Sequence, residues 1–122
     1  MTLDEYLTSL LNPLFANRVH WDVTPEGIVV TSPIAILQQI GGKEEWYIDK
    51  DLKKSHRHAR IQITCWGRRR VEISEMSKTV SDTIRLDNAM VSEPYGAATS
   101  LYEETGKLYG FRQQFGLWFQ ES

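Results

Sequence analysis

The stretch HARIQITCWGRRRVEISEM, residues 58–76, changes its hydrophobic period at a single glycine. Before Gly67, Ala59, Ile61, Ile63 and Cys65 alternate with His58, Arg60, Gln62, Thr64 and Trp66, the two-residue repeat of a strand with one buried face. After it, Ile73, Met76, Val80 and Ile84 recur at helical spacing and form an amphipathic stripe. A strand from His56 to Trp66 must therefore hand over almost at once to a helix from about Arg69 to Arg85, and both must serve one core.

The flanking sequence supplies the other elements. Thr2 and Glu5 fit a capping box, and Leu3, Tyr6, Leu7, Leu10, Leu11 and Leu14 form one helical face that Pro13 ends near Asn12. Val19, Trp21 and Val23 alternate with Arg18, His20 and Asp22 in a short strand, closed by the turn residues Thr24-Pro25-Glu26-Gly27. A second strand is predicted from about Ile34 to Ile40, with Pro33 at its edge and Gly41-Gly42 as its stop. Residues 43–55 lack periodicity and read as a long exposed, charged loop, beginning at about residue 42; residues 87–99 also read as loop. Thr105-Gly106 separates Leu101 and Tyr102 from a long strand, Leu108 to Phe119, and predicts a closing hairpin. The expected architecture is α+β in the order α-β-β-β-α-β-β: an antiparallel sheet of about four to five strands, with two helices packed on one face.

With 122 residues the chain suits one domain, spanning 1–122, with one core. No apolar run approaches the ~20 residues of a membrane span, so no membrane association is expected. The acidic opening MTLDEYL does not read as an export signal, and the expected site of synthesis and use is the cytoplasmic side. The single cysteine, Cys65, allows neither an internal disulfide nor a cysteine zinc site. The net charge of −2 hides an asymmetry: eight of the 14 Lys and Arg lie between Lys50 and Arg70 beside one acid, Asp51. The remaining chain holds six basic and 15 acidic residues, an acidic body with one basic band.

That band raises the functional question. Arg68, Arg69 and Arg70 could meet phosphates, with Lys53, Lys54, Arg57 and Arg60 extending the patch. They could equally be solvated and paired with Glu72. Cations at a helix N-terminus oppose the macrodipole at about 0.3–1 kcal/mol each, so folding alone does not select three of them, and an acidic partner is expected. No DNA-reading motif or evident single-strand stacking platform accompanies them, and specific nucleic-acid recognition is not expected. His56 and His58 share a strand face at metal-ligand spacing, yet lie among cations that would repel a metal. Cys65 falls on the apolar face and reads as a small buried hydrophobe. There is no nucleophile elbow, P-loop or dinucleotide fingerprint; no enzyme activity and no cofactor are expected. Trp46, Tyr47 and Ile48 interrupt the charged loop and either form an interface or fold back as a cap on the sheet.

The order of these elements resembles the small tail completion or tail terminator proteins of long-tailed bacteriophages. The resemblance covers nearly the whole chain: a leucine-rich first helix, then NRVHWDVTPEG, the Pro-led SPIAILQQ, the passage ARIQITCWGRRRVEISEMSKTVSDTI and the hairpin LYEETGKLYGFRQQFGLWFQ. It implies a non-enzymatic virion or assembly protein of α+β fold, found in the virion tail or neck and in the host cytoplasm during assembly. Such proteins form rings, typically six-fold, at the head-proximal end of the tail tube, where they end tube growth or join tail to head. Partners would be further copies of the chain, the tail tube protein and head–tail connector proteins. In a head-to-tail ring the two contacting patches must differ. Trp46, Tyr47, Lys53, Lys54, Arg57 and Arg68 to Arg70 are then the expected protein-facing residues. A small nucleic-acid-binding regulator using the band at 50–70, another head–tail neck adaptor, and a metal enzyme built on His56 and His58 remain the alternatives.

Overall fold

A computed structural model of the chain describes residues 1–23, 32–43 and 55–121. The elements are α1 (Leu3–Leu11), a 3-10 turn (Asn12–Leu14), β1 (Val19–Trp21), β2 (Ile34–Lys43), β3 (Ser55–Gly67), α2 (Arg70–Leu86), β4 (Met90–Pro94), β5 (Thr99–Glu103) and β6 (Leu108–Glu121). The class is α+β, as the periodicity predicts. The sheet, however, has six strands instead of four to five and is mixed instead of antiparallel: β1 runs parallel to β2. The twelve residues between Trp21 and Ile34 explain the difference, because they are enough chain for a crossover and need not make a hairpin.

The order across the sheet is β1-β2-β3-β6-β4, with β5 also on β6. β3 and β6 pair antiparallel along their whole lengths, from Ser55 opposite Glu121 to Gly67 opposite Tyr109. The outer edge of β6 is shared: β5 covers Leu108 to Arg112 as the expected hairpin, and β4 covers Phe115 to Phe119. Residues 90–103 are thus one edge strand broken by a four-residue interruption at 95–98. The sequence reading placed 87–99 in a loop because β4 offers no alternation. Only Met90 is buried, and Pro94 ends the strand where an edge tolerates a missing donor.

Both helices pack on one face. Leu3, Leu7 and Leu11 of α1 and Ile73, Val80 and Ile84 of α2 join Ala35, Leu37, Ala59, Ile61, Ile63, Cys65, Phe115, Leu117 and Phe119 in one buried cluster. The capping box of α1 forms as predicted, Thr2 accepting from the Glu5 amide at 3.2 Å. Two glycines expected to end β2 instead carry it onward. The register shifts between Gln39 and Gly41, a β-bulge, and pairing continues to Lys43 opposite His58. Gly41 and Gly42 hold φ of +157° and +154°, and a Cβ at Gly42 would collide with the His58 carbonyl oxygen. Only glycine fits that approach.

One carboxylate ties three elements together. Asp87, just after α2, accepts the Ala89 and Met90 amides at 2.9 and 3.1 Å and the Tyr6 hydroxyl of α1 at 2.6 Å. Tyr6 also stacks on Phe119 at 5.0 Å between centroids. The hydrogen bond to Asp87, and after it burial, push the Tyr6 phenol from 10.0 up to about 12. Because the native state favours the protonated phenol, this contribution is intact below pH 10 and is lost as pH rises towards 12. Equilibrium unfolding across that interval is expected to show a decline in stability that Tyr6→Phe flattens. Leu7→Ala, at a fully buried site, is expected to cost about 2–5 kcal/mol in urea unfolding.

Candidate functional site

With both described helices on one side, no described helix lies over the other face of the sheet. Register arranges its side chains in rows across β2, β3 and β6. Ile34, Trp66 and Gly110 form an apolar end row, with Leu101 of β5 beyond. There Ile34, Ile36, Trp66 and Leu108 make a second, smaller buried cluster. The next row is Ile36, Thr64, Arg112 and Thr99; the next is Gln38, Gln62 and Gln114. Then come Gly41, Arg60, Gly116 and Glu93, and last Lys43, His58, Trp118 and Val91. The face therefore changes along the strands from apolar to amide to cationic and aromatic.

Among the described side chains of this face, β3 and β6 contribute the cations Arg60 and Arg112, and the acids lie on the edge strands, at Glu93 of β4 and Glu103 of β5. The helix side holds Asp4, Glu5, Glu72, Glu75 and Asp82, with Arg70, Lys78 and Arg85 interspersed.

Arg60 sits at the centre of the face. Its Nε and one terminal nitrogen donate to Gln114 Oε1 at 3.1 and 2.6 Å, and its guanidinium lies over the Tyr95 ring at 4.3 Å. Gln114 in turn donates to Gln62 at 3.5 Å. Gly116 makes room for this arrangement: a Cβ there would stand 2.9 Å from the Tyr95 ring and 3.0 Å from His58 Nε2. His58 is buried and packs against Trp118 at 4.4 Å between centroids. Two recesses open on this face, and Arg60 lines the second. One of about 170 Å³ is lined by Ile36, Gln38, Gln62, Thr64, Trp66 and Arg112, with Val23 at its rim. The other, about 200 Å³, lies between the Gly41-Gly42 bulge and His58, Arg60 and Tyr95.

The residues singled out from sequence fall elsewhere. Arg68 and Arg69 are exposed in the passage from β3 to α2, and Arg69 is the N-cap of α2 without a side-chain capping bond. The helix begins at Arg70, so Arg68 and Arg69 precede its first turn. Arg70 lies over the Phe111 ring at 5.6 Å. Arg57 belongs to the far end of β3, opposite Phe119. Arg68, just past the other end of β3, is eleven positions further along, ~36 Å at the usual rise. The described part of the basic band is drawn out along β3 and the passage into α2. Trp46, Tyr47, Lys53 and Lys54 lie outside the described residues.

Cys65 is buried in the core, and burial pushes its thiol up to about 12. That is the setting of an inert thiol. Among the described residues no three His, Cys, Asp or Glu side chains converge to hold a metal. No described helix is long and apolar enough to cross a membrane.

Sequence reasoning passed over Arg112, Gln114 and Trp118, although β6 alternation places them opposite the buried Phe115 and Leu117. Tyr95 gave no signal, since it lies in the edge interruption and meets Arg60 only through folding. No protein-family model and no curated protein matches the chain. The native protein is expected to resist a thiol-specific reagent at neutral pH and to react once unfolded in urea. Equal rates in the two states would show that β3 opens readily.

Proposed function

We propose that the protein is a tail completion or tail terminator subunit of a long-tailed phage or prophage, an assembly protein without enzymatic activity. It forms a ring at the head-proximal end of the tail tube, where it ends tube growth or joins tail to head. The observation that carries this reading is the run of quoted motifs over nearly the full chain, in the order helix, strand, Pro-led strand, long strand, helix and hairpin. A physical argument supports it. A head-to-tail ring needs two different, complementary surfaces on each subunit, and this chain sets Arg60 and Arg112 on the sheet face opposite two helices that carry five acids and three basic residues. The exposed Arg68 and Arg69 at the β3–α2 passage are a second candidate contact, for a neighbour or an acidic tail protein.

Electron microscopy of particles lacking this gene tests the reading. Overlong or unattached tails beside filled heads are the expected result, and the tail-length distribution separates terminator from another neck adaptor. Normal infectious particles would overturn it. Replacing Arg68, Arg69 and Arg70 together by Glu is expected to abolish ring formation or tail attachment while leaving a folded monomer. Assembly of that variant at the wild-type level would remove the arginines from the interface.

A further inference from the structure

The sheet face away from the two described helices has a composition that its fold does not require. Solvated faces of antiparallel strands ordinarily mix both charge signs, whereas the central strands here present Arg60 and Arg112 with no acid beside them until Glu93 on the β4 edge. The amides of Gln38, Gln62 and Gln114 run in a row between the two arginines, and each amide can both donate and accept. The Arg60 guanidinium lies over the ring of Tyr95, which is 37% exposed. Only two of its three nitrogens have partners among the described residues.

We propose that this face binds single-stranded nucleic acid without strict sequence preference. The two arginines would neutralise backbone phosphates. Tyr95, stiffened by Arg60 on one side, would offer a ring for a base to stack upon, and the glutamine row would meet base edges. Aromatic stacking beside a cationic track is how sheet surfaces hold single strands. An acidic peptide would satisfy the arginines but would make no use of a pre-set ring or an amide row, so the chemistry favours the nucleic acid. This activity goes beyond assembly and is separable from it, since it concerns the isolated subunit.

The test titrates the full chain into dye-labelled oligothymidine and follows anisotropy over a salt series. Saturable binding is expected, displaced by unlabelled oligothymidine but not by polyglutamate or by a duplex of equal length. Two phosphate contacts should give a loss of about sevenfold between roughly 50 and 200 mM salt. Arg60→Gln with Arg112→Gln is expected to weaken binding and flatten that salt dependence. Arg112→Gln alone, at an exposed side chain, gives about half the flattening without touching the Arg60–Gln114 contact. Tyr95→Ala should cost about fivefold or more with the salt dependence retained, and Tyr95→Phe should restore affinity. The proposal is overturned by absence of binding at low salt, or by equal displacement with polyglutamate, which would make the face a docking surface for acidic protein. It is equally overturned if replacing Arg68, Arg69 and Arg70 by Gln abolishes binding while the Arg60 and Arg112 variant keeps it.

Discussion

The antiparallel ladder between β3 and β6 is the constraint on which the rest of the structure depends. Its register runs unbroken from Ser55 opposite Glu121 to Gly67 opposite Tyr109. Because strand side chains alternate strictly, that single register decides at once which residues of both strands face the helices. Ala59, Ile61, Ile63 and Cys65 fall beside Phe115, Leu117 and Phe119, and there is nowhere else for the apolar stripes of α1 and α2 to go. A slip of one residue would turn Arg60 and Arg112 into the core, at a desolvation cost no helix packing could offset.

The same register creates the opposite face as a by-product. Once Phe115 and Leu117 are committed to the core, Gln114, Gly116 and Trp118 must point away from it, to meet Gln62, Arg60 and His58. The arrangement is then refined by small residues. Gly116 leaves space that Tyr95 and His58 use, and the bulge at Gly41 and Gly42 lets β2 keep pairing while opening a recess beside Arg60. The result is a two-sided molecule with a cationic, amide-rich sheet face and a mixed, acid-bearing helix side.

The position of the arginine triplet follows from the same geometry. β3 carries Arg57 near one end and leads into Arg68 just past the other, so backbone positions eleven apart in the sequence stand far apart in space. The triplet occupies the exposed passage into α2, where Arg69 stands as an N-cap without a capping side chain and the helix start relies on Glu72 for favourable charge.

By itself the sequence determined the elements whose signal is periodic and local. The switch of period at Gly67, the capping box at Thr2 and Glu5, the leucine face of α1 and the turn at Thr105-Gly106 each record a short-range preference of the chain, and each element is present. Burial of Cys65 followed from the same alternation. Tertiary structure alone decided the rest. β4 exists because β6 offers it a partner edge, not because Met90 to Pro94 prefer to be extended, and the parallel pairing of β1 depends on where a twelve-residue connection lands. The cluster around Arg60 gathers Tyr95 and Gln114 from positions 35 and 54 residues away. No local pattern encodes such a meeting, because it is set by the shared register of strands that fold far apart in the chain.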